Sequence, residues 1–110
     1  MKLFILVFLF AVLAAAQTTH TVELSWEDTL NPVGTVYAVY RGDARCTQSP
    51  VMVKIAQDIA VKVYTQNGVS VGNYCYHVTA NLNALESLPS NQALAEVRPW
   101  SPSKLNVTVK

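Results

Sequence analysis

Residues Thr35 to Arg41 read TVYAVYR, and this stretch decides the fold. β-Branched and aromatic side chains dominate it, and such residues favour a pleated, half-buried backbone. Apolar groups fall on both faces, which marks a central strand rather than an edge. Upstream, Val22, Leu24 and Trp26 alternate with Glu23, Ser25 and Glu27, the pattern of a strand with one wet face. Between them Asp28 to Gly34 (DTLNPVG) carries Asn-Pro and a glycine, which is turn chemistry.

Downstream, Gly42 to Pro50 (GDARCTQSP) reads as a loop. Met52 to Ala56 and Ala60 to Thr65 read as two short strands around Gln57-Asp58, and Asn67-Gly68 predicts a turn within Gln66 to Gly72. Asn73 to Leu82 (NYCYHVTANL) puts Tyr74, Tyr76, Val78 and Ala80 on one face and Cys75, His77 and Thr79 on the other. A loop over Asn83 to Ser90 precedes a last strand, Asn91 to Val97. No segment holds a helical period, no repeat is present, and about seven short antiparallel strands argue an all-β sandwich.

The N-terminus differs from the rest. Met1-Lys2 is a short positive start, Leu3 to Leu13 is an unbroken apolar run of 11 residues, and Ala14-Ala15-Ala16 offers small residues for cleavage. Eleven helical residues rise about 16 Å, roughly half a bilayer core. Residues 1–16 therefore read as a signal peptide, with Gln17 the new N-terminus and no membrane span left after cleavage. The expected location is secreted or periplasmic. Of the eight Lys and Arg residues only Lys2 lies in the leader, so the mature chain balances seven bases against seven acids. A net charge near zero argues against nucleic acid as a partner.

Export changes how Cys46 and Cys75 read. Two cysteines in an oxidising compartment favour a disulfide, here closing a loop of about 30 residues worth about 3 kcal/mol. The other readings are two separate thiols, or a metal site. A metal would require Cys46, Cys75, His77 and His20 to converge, and no metal or other cofactor is expected.

At this point the residues resemble a known family, the fibronectin type III domain, in particular its short exported bacterial version. HTVELSW (residues 20–26) is similar to the family's second strand, which makes Trp26 the core tryptophan. TVYAVYRG resembles the third strand, with Tyr37 and Val39 inward. VYTQNGVSVGNYCYHVTAN looks like the fifth strand, a turn and the sixth, and ESLPSNQALAEV like the last. Tyr74 falls at the family's tyrosine corner. The resemblance implies an immunoglobulin-like β-sandwich over residues 17–98 with a core signature of Trp26, Tyr37, Val39, Tyr74, Tyr76 and Val78. Trp26 can bury on the order of 200 Å² between sheets, and the hydroxyl of a buried Tyr74 needs a backbone partner.

Two departures stand out. Gln17 to Thr19 is too short for the family's first strand. Residues 99–110 (PWSPSKLNVTVK) instead form a proline-containing linker and a spare strand-like tail, with Leu105, Val107 and Val109 on one face. The tail is expected either to fold back on its own domain, with Trp100 pinning the linker, or to donate its strand to the next molecule. A loose tail is the third outcome.

Catalytic constellations are missing from the sequence. Glu27-Asp28 is an adjacent acid pair at a strand end, not two carboxylates opposed across a cleft. No nucleophile elbow, zinc-protease motif or P-loop occurs. Arg41-Gly42-Asp43 spells the integrin-binding tripeptide, but at the end of the third strand rather than on the loop where the family presents it. Asn106-Val107-Thr108 fits a glycosylation sequon. The sequence thus points to a non-enzymatic exported module binding an unidentified protein or surface partner. The alternatives are a subunit that self-associates through its C-terminal strand and a small secreted enzyme or enzyme inhibitor.

Overall fold

The computed structural model describes residues 19–110; the leader expected over residues 1–16 lies outside the described residues. Seven strands follow in order: β1 (Thr19–Ser25), β2 (Val36–Gly42), β3 (Val53–Ile59), β4 (Val63–Ser70), β5 (Gly72–Leu82), β6 (Leu85–Glu86) and β7 (Ala93–Val97). A single 3-10 turn, Cys46–Gln48, follows β2 among the described residues. All strand pairs are antiparallel. β1 and β4 form one small sheet, and β3-β2-β5 form the other, with β7 and β6 sharing the remaining edge of β5. The arrangement is sandwich-like.

TVYAVYR becomes β2, and its alternation builds the core. Tyr37 and Val39 point toward the small sheet and are 5% and 0% exposed; Tyr76 from β5 joins them at 2%. Trp26 lies edge-on to Tyr37, with ring centroids 5.5 Å apart. The Tyr76 hydroxyl donates across the sandwich to Gln66 Oε1 at 2.8 Å, which satisfies a group that burial would otherwise leave unpaired. The DTLNPVG turn is tied to the same core. Asp28 accepts from the Leu30 and Asn31 amides, from the Asn31 side chain at 2.7 Å and from the Tyr37 hydroxyl at 2.7 Å. The Asn31 amide first, and the Tyr37 hydroxyl next, hold the Asp28 carboxyl well below the usual carboxylate range.

Three expected turns are corrected. Asn67-Gly68 lies inside β4, not between strands. His20 faces Val69 and Val22 faces Gln66, so two residues oppose Thr21 alone in a β-bulge. Gly68 supplies the left-handed backbone at φ 68, and Thr21 Oγ1 donates to Asn67 Oδ1 at 3.0 Å. The reversal comes instead at Val71, between β4 and β5. Likewise β3 runs through Gln57-Asp58, where Asp58 takes φ 57 and the register to β2 shifts; the connection to β4 is residues 60–62. Finally, the expected loop over Asn83 to Ser90 contains β6. Asn83 and Ala84, at φ 51 and 65, make a two-residue hairpin loop between Leu82 and Leu85.

Between β7 and β6 the edge of β5 is closed by serines. Ser90 N–H donates to the Val78 carbonyl and Val78 N–H to Ser90 Oγ; Ser87 and Ala80 repeat the exchange. Hydroxyls therefore replace backbone acceptors where Pro89 interrupts the ladder.

The cysteines are joined. Cys46 in the 3-10 turn bonds Cys75 of β5, Cα atoms 5.0 Å apart, and Cys75 is fully buried. The bridge staples the turn after β2 to the strand that β2 already pairs with. Replacing both cysteines (Cys46→Ser with Cys75→Ala) is expected to cost about 3 kcal/mol, chiefly by freeing the unfolded chain. Urea unfolding of the two proteins checks this, and an unchanged midpoint would contradict it.

Candidate functional site

Because Tyr37 and Val39 face inward, Ala38 and Tyr40 face outward from the larger sheet. On β5, Tyr76 faces the small sheet, so His77 and Thr79 share the outer face. The ladders then align these positions. Tyr40 lies opposite His77 on one side and Lys54 on the other, Ala38 lies opposite Thr79, and Asn81 opposite Glu86. Lys54, Tyr40 and His77 are thus level across β3, β2 and β5, and Thr79 and Glu86 lie successively farther along, so the five form a diagonal row on the outer face.

The row is held by direct contacts. The Tyr40 and His77 rings are 4.7 Å apart at 38°, and Lys54 Nζ lies 5.7 Å from the centre of the Tyr40 ring. Glu86 Oε2 accepts from the Tyr40 hydroxyl at 2.5 Å and from Thr79 Oγ1 at 2.6 Å. Two charge-assisted bonds to one oxygen fix both the carboxylate and the Tyr40 ring.

Electrostatics follow from the contacts. The Thr79 and Tyr40 hydroxyls hold the Glu86 carboxyl below its ordinary range. The bond to Glu86, reinforced by burial, pushes the Tyr40 phenol up. Burial lowers the His77 imidazole below 6.5, and the Glu86 charge opposes that fall. The face therefore sets a carboxylate, an imidazole and an oriented phenol ring beside the Lys54 side chain. Among the described residues no three His, Cys, Asp or Glu side chains converge as a metal site, and no helix is long and apolar enough to cross a membrane.

The residues singled out in the sequence are distributed differently. Trp26, Tyr74 and Val78 are half-buried, while Tyr37, Val39 and Tyr76 are fully buried. The Tyr74 hydroxyl donates to the Ser70 carbonyl at 2.8 Å, four residues upstream, and the Arg41 guanidinium sits 5.0 Å above its ring. Arg41-Gly42-Asp43 is not displayed on a loop. Arg41 and Gly42 belong to β2, Gly42 is buried where an added Cβ would meet Pro50 at 2.6 Å, and Arg41 Nε donates to Asp43 itself at 2.8 Å. The tripeptide thus lies where the sequence placed it, at the end of the TVYAVYR strand. The tail also departs from the expected fold-back. Residues 98–110 form no strand, and Leu105, Val107 and Val109 are 86%, 79% and 91% exposed. Trp100 does dock, stacking on His20 with centroids 4.0 Å apart.

Sequence reading gave no role to Lys54, Tyr40 or Glu86. The outward position of Tyr40 follows from the alternation in TVYAVYR. Glu86 was hidden because Asn83-Ala84 carries only half of the usual Asn-Gly hairpin signal. Comparison with protein-family models, with curated proteins and with solved structures gives no match.

Removing the Glu86 charge removes the one group that favours protonated His77. In Glu86→Gln the imidazole is therefore expected to titrate lower still than in the parent, where it already titrates below 6.5. Proton NMR of His77 across a pH series measures both; an upward or absent shift in the variant would contradict the contact.

Proposed function

We propose that this chain is an exported, non-enzymatic β-sandwich module of the fibronectin type III kind, working as a binding domain for a protein partner. The observation that carries the binding role is the row Lys54, Tyr40, His77 and Glu86 on the outer face of the larger sheet. Tyrosine anchors with few rotatable bonds dominate protein interfaces, and Tyr40 is held in place before any partner arrives. The hydroxyl groups that fix Glu86 also fix the ring.

Three features support the family reading. The strand order matches that of the resemblance with its first strand missing. The Tyr74 hydroxyl reaches a backbone carbonyl at the corner between β4 and β5. Trp26 packs on Tyr37 between the sheets. Export is supported by the leader-like residues 1–16 and by the Cys46–Cys75 bridge, which is consistent with an extracytoplasmic location. In this reading residues 17–98 are the module and residues 99–110 its tail.

Site-specific photo-crosslinking tests the binding face. A photoreactive residue at Lys54 is expected to capture a protein partner in the exporting cells, while one at Thr65, exposed on β4 of the other sheet, is not. Tyr40→Ala should reduce capture from position 54 about tenfold or more. Equal capture from both positions, or indifference to Tyr40→Ala, would overturn the assignment.

A further inference from the structure

The small sheet leaves one edge of β1 without a neighbour among the described residues. A groove runs beside that edge. Leu24, Trp26 and Glu27 line one wall and Tyr76, Val78 and Ala93 the other, enclosing about 280 Å³. It continues into a recess of about 160 Å³ between Trp26, Tyr37 and Leu88. No residue of β4 lines either space, so the groove lies on the unpaired side of β1. Trp26 borders both, and its indole Nε1 is buried without a hydrogen-bond partner among the described residues. The site therefore has a trough with apolar walls at Leu24, Trp26, Val78 and Ala93 and polar groups at Ser25, Ser90 and Asn91, an open row of backbone groups and a donor lacking an acceptor. A β-strand supplies what all three need.

The same chain carries a segment with the alternation of a strand but no sheet to join. Leu105, Val107 and Val109 alternate with Lys104, Asn106, Thr108 and Lys110, and the segment is exposed and unpaired. We propose that Lys104–Lys110 of one molecule adds as an antiparallel strand to the free edge of β1 in a second copy. His77 and Thr79 of β5 border both this groove and the Tyr40 face, whereas Tyr40, Lys54 and Glu86 do not line the groove.

The charge pattern sets the register. Antiparallel pairing that puts Leu105, Val107 and Val109 against Trp26, Leu24 and Val22 also puts Lys104 opposite Glu27 and Lys110 diagonal to Glu23. Both glutamates are exposed, and Glu27 borders the groove. Apolar groups enter the groove, and opposite charges meet along its margin.

The occupant is a second copy because the molecule's own tail is tied in the wrong place. Trp100 stacks on His20, at the start of β1. Running from there along its own edge, the tail advances about 3.3 Å per residue, as β1 does. Pro102 would fall level with Val22 and Leu105 only with Ser25, leaving Val107 and Val109 beyond Trp26. Proline would sit in the ladder and the apolar triplet would miss the groove. A tail from another molecule is free of that tie. Exchange then closes as a reciprocal pair or continues head to tail as a chain.

Analytical ultracentrifugation of the exported, disulfide-bonded chain over a concentration series tests this. The parent is expected to form dimers or larger species as concentration rises. Val107→Asp, which changes an exposed position of the monomer, should weaken association at least about tenfold while leaving the circular dichroism and melting of the monomer unchanged. A synthetic KLNVTVK peptide in excess should dissociate the parent assembly, and Tyr40→Ala should leave it intact. A parent that stays monomeric to its solubility limit would overturn the proposal. So would association that neither Val107→Asp nor the peptide weakens, or a monomer that Val107→Asp destabilises, which would mean fold-back.

Discussion

The structure depends on the ladder between β2 and β5. Seven consecutive residue pairs, from Val36 opposite Asn81 to Gly42 opposite Cys75, join them without a register break. Every other pairing of β2 or β5 is shorter or interrupted. β3 meets β2 through two register shifts, and β7 and β6 each cover only part of the far edge of β5. Because side chains alternate strictly along a strand, an unbroken ladder assigns each residue of both strands to one face. Tyr37, Val39 and Tyr76 go inward to make the core, and Tyr40, His77 and Thr79 go to the outer face of the larger sheet. A one-residue slip would exchange the two sets. The Cys46–Cys75 bond attaches at the end of this ladder and so fastens the register as well as the chain.

The other sheet is thinner. Two strands, one bulged at Asn67-Gly68, cover the core side of the larger sheet and, among the described residues, leave the β1 edge open. A natural β-protein usually blocks such an edge with a bulge, a charge or a covering segment. Here the bulge is formed on the β4 side of the pairing, Glu23 is exposed on β1, and Glu27 borders the groove itself. The open edge and the exposed tail strand are complementary features of one chain, which is why the proposed exchange joins them.

Much of this was legible in the sequence, for a physical reason. Period-two alternation in TVYAVYR and NYCYHVTANL identifies strands and their faces without any knowledge of partners, and the Cys46–Cys75 disulfide agrees with the pairing expected of two cysteines behind a leader-like N-terminus. The turns were legible only in part. Asn67-Gly68, Gln57-Asp58 and Asn83-Ala84 all contain a residue with positive φ. Sequence reports that local preference, but a bulge and a hairpin loop share it, and the neighbouring strand decides between them. The candidate face was harder still. Tyr40 and His77 were readable as outward residues, yet Lys54 and Glu86 reach them only through strand pairings that no local pattern encodes. The tail was recognisable as a strand, whereas the stacking of Trp100 on His20, which keeps it from its own β1, is a tertiary contact.

If the β2–β5 ladder is the element on which the rest depends, it should open last. Native-state hydrogen exchange measures this residue by residue. The account predicts that the hydrogen-bonded amides of β2 and central β5, around Ala38, Val39 and Thr79, exchange only with global unfolding, and that those of β1 and β4 exchange through smaller openings. Protection of β1 and β4 equal to or greater than that of β2 and β5 would contradict it.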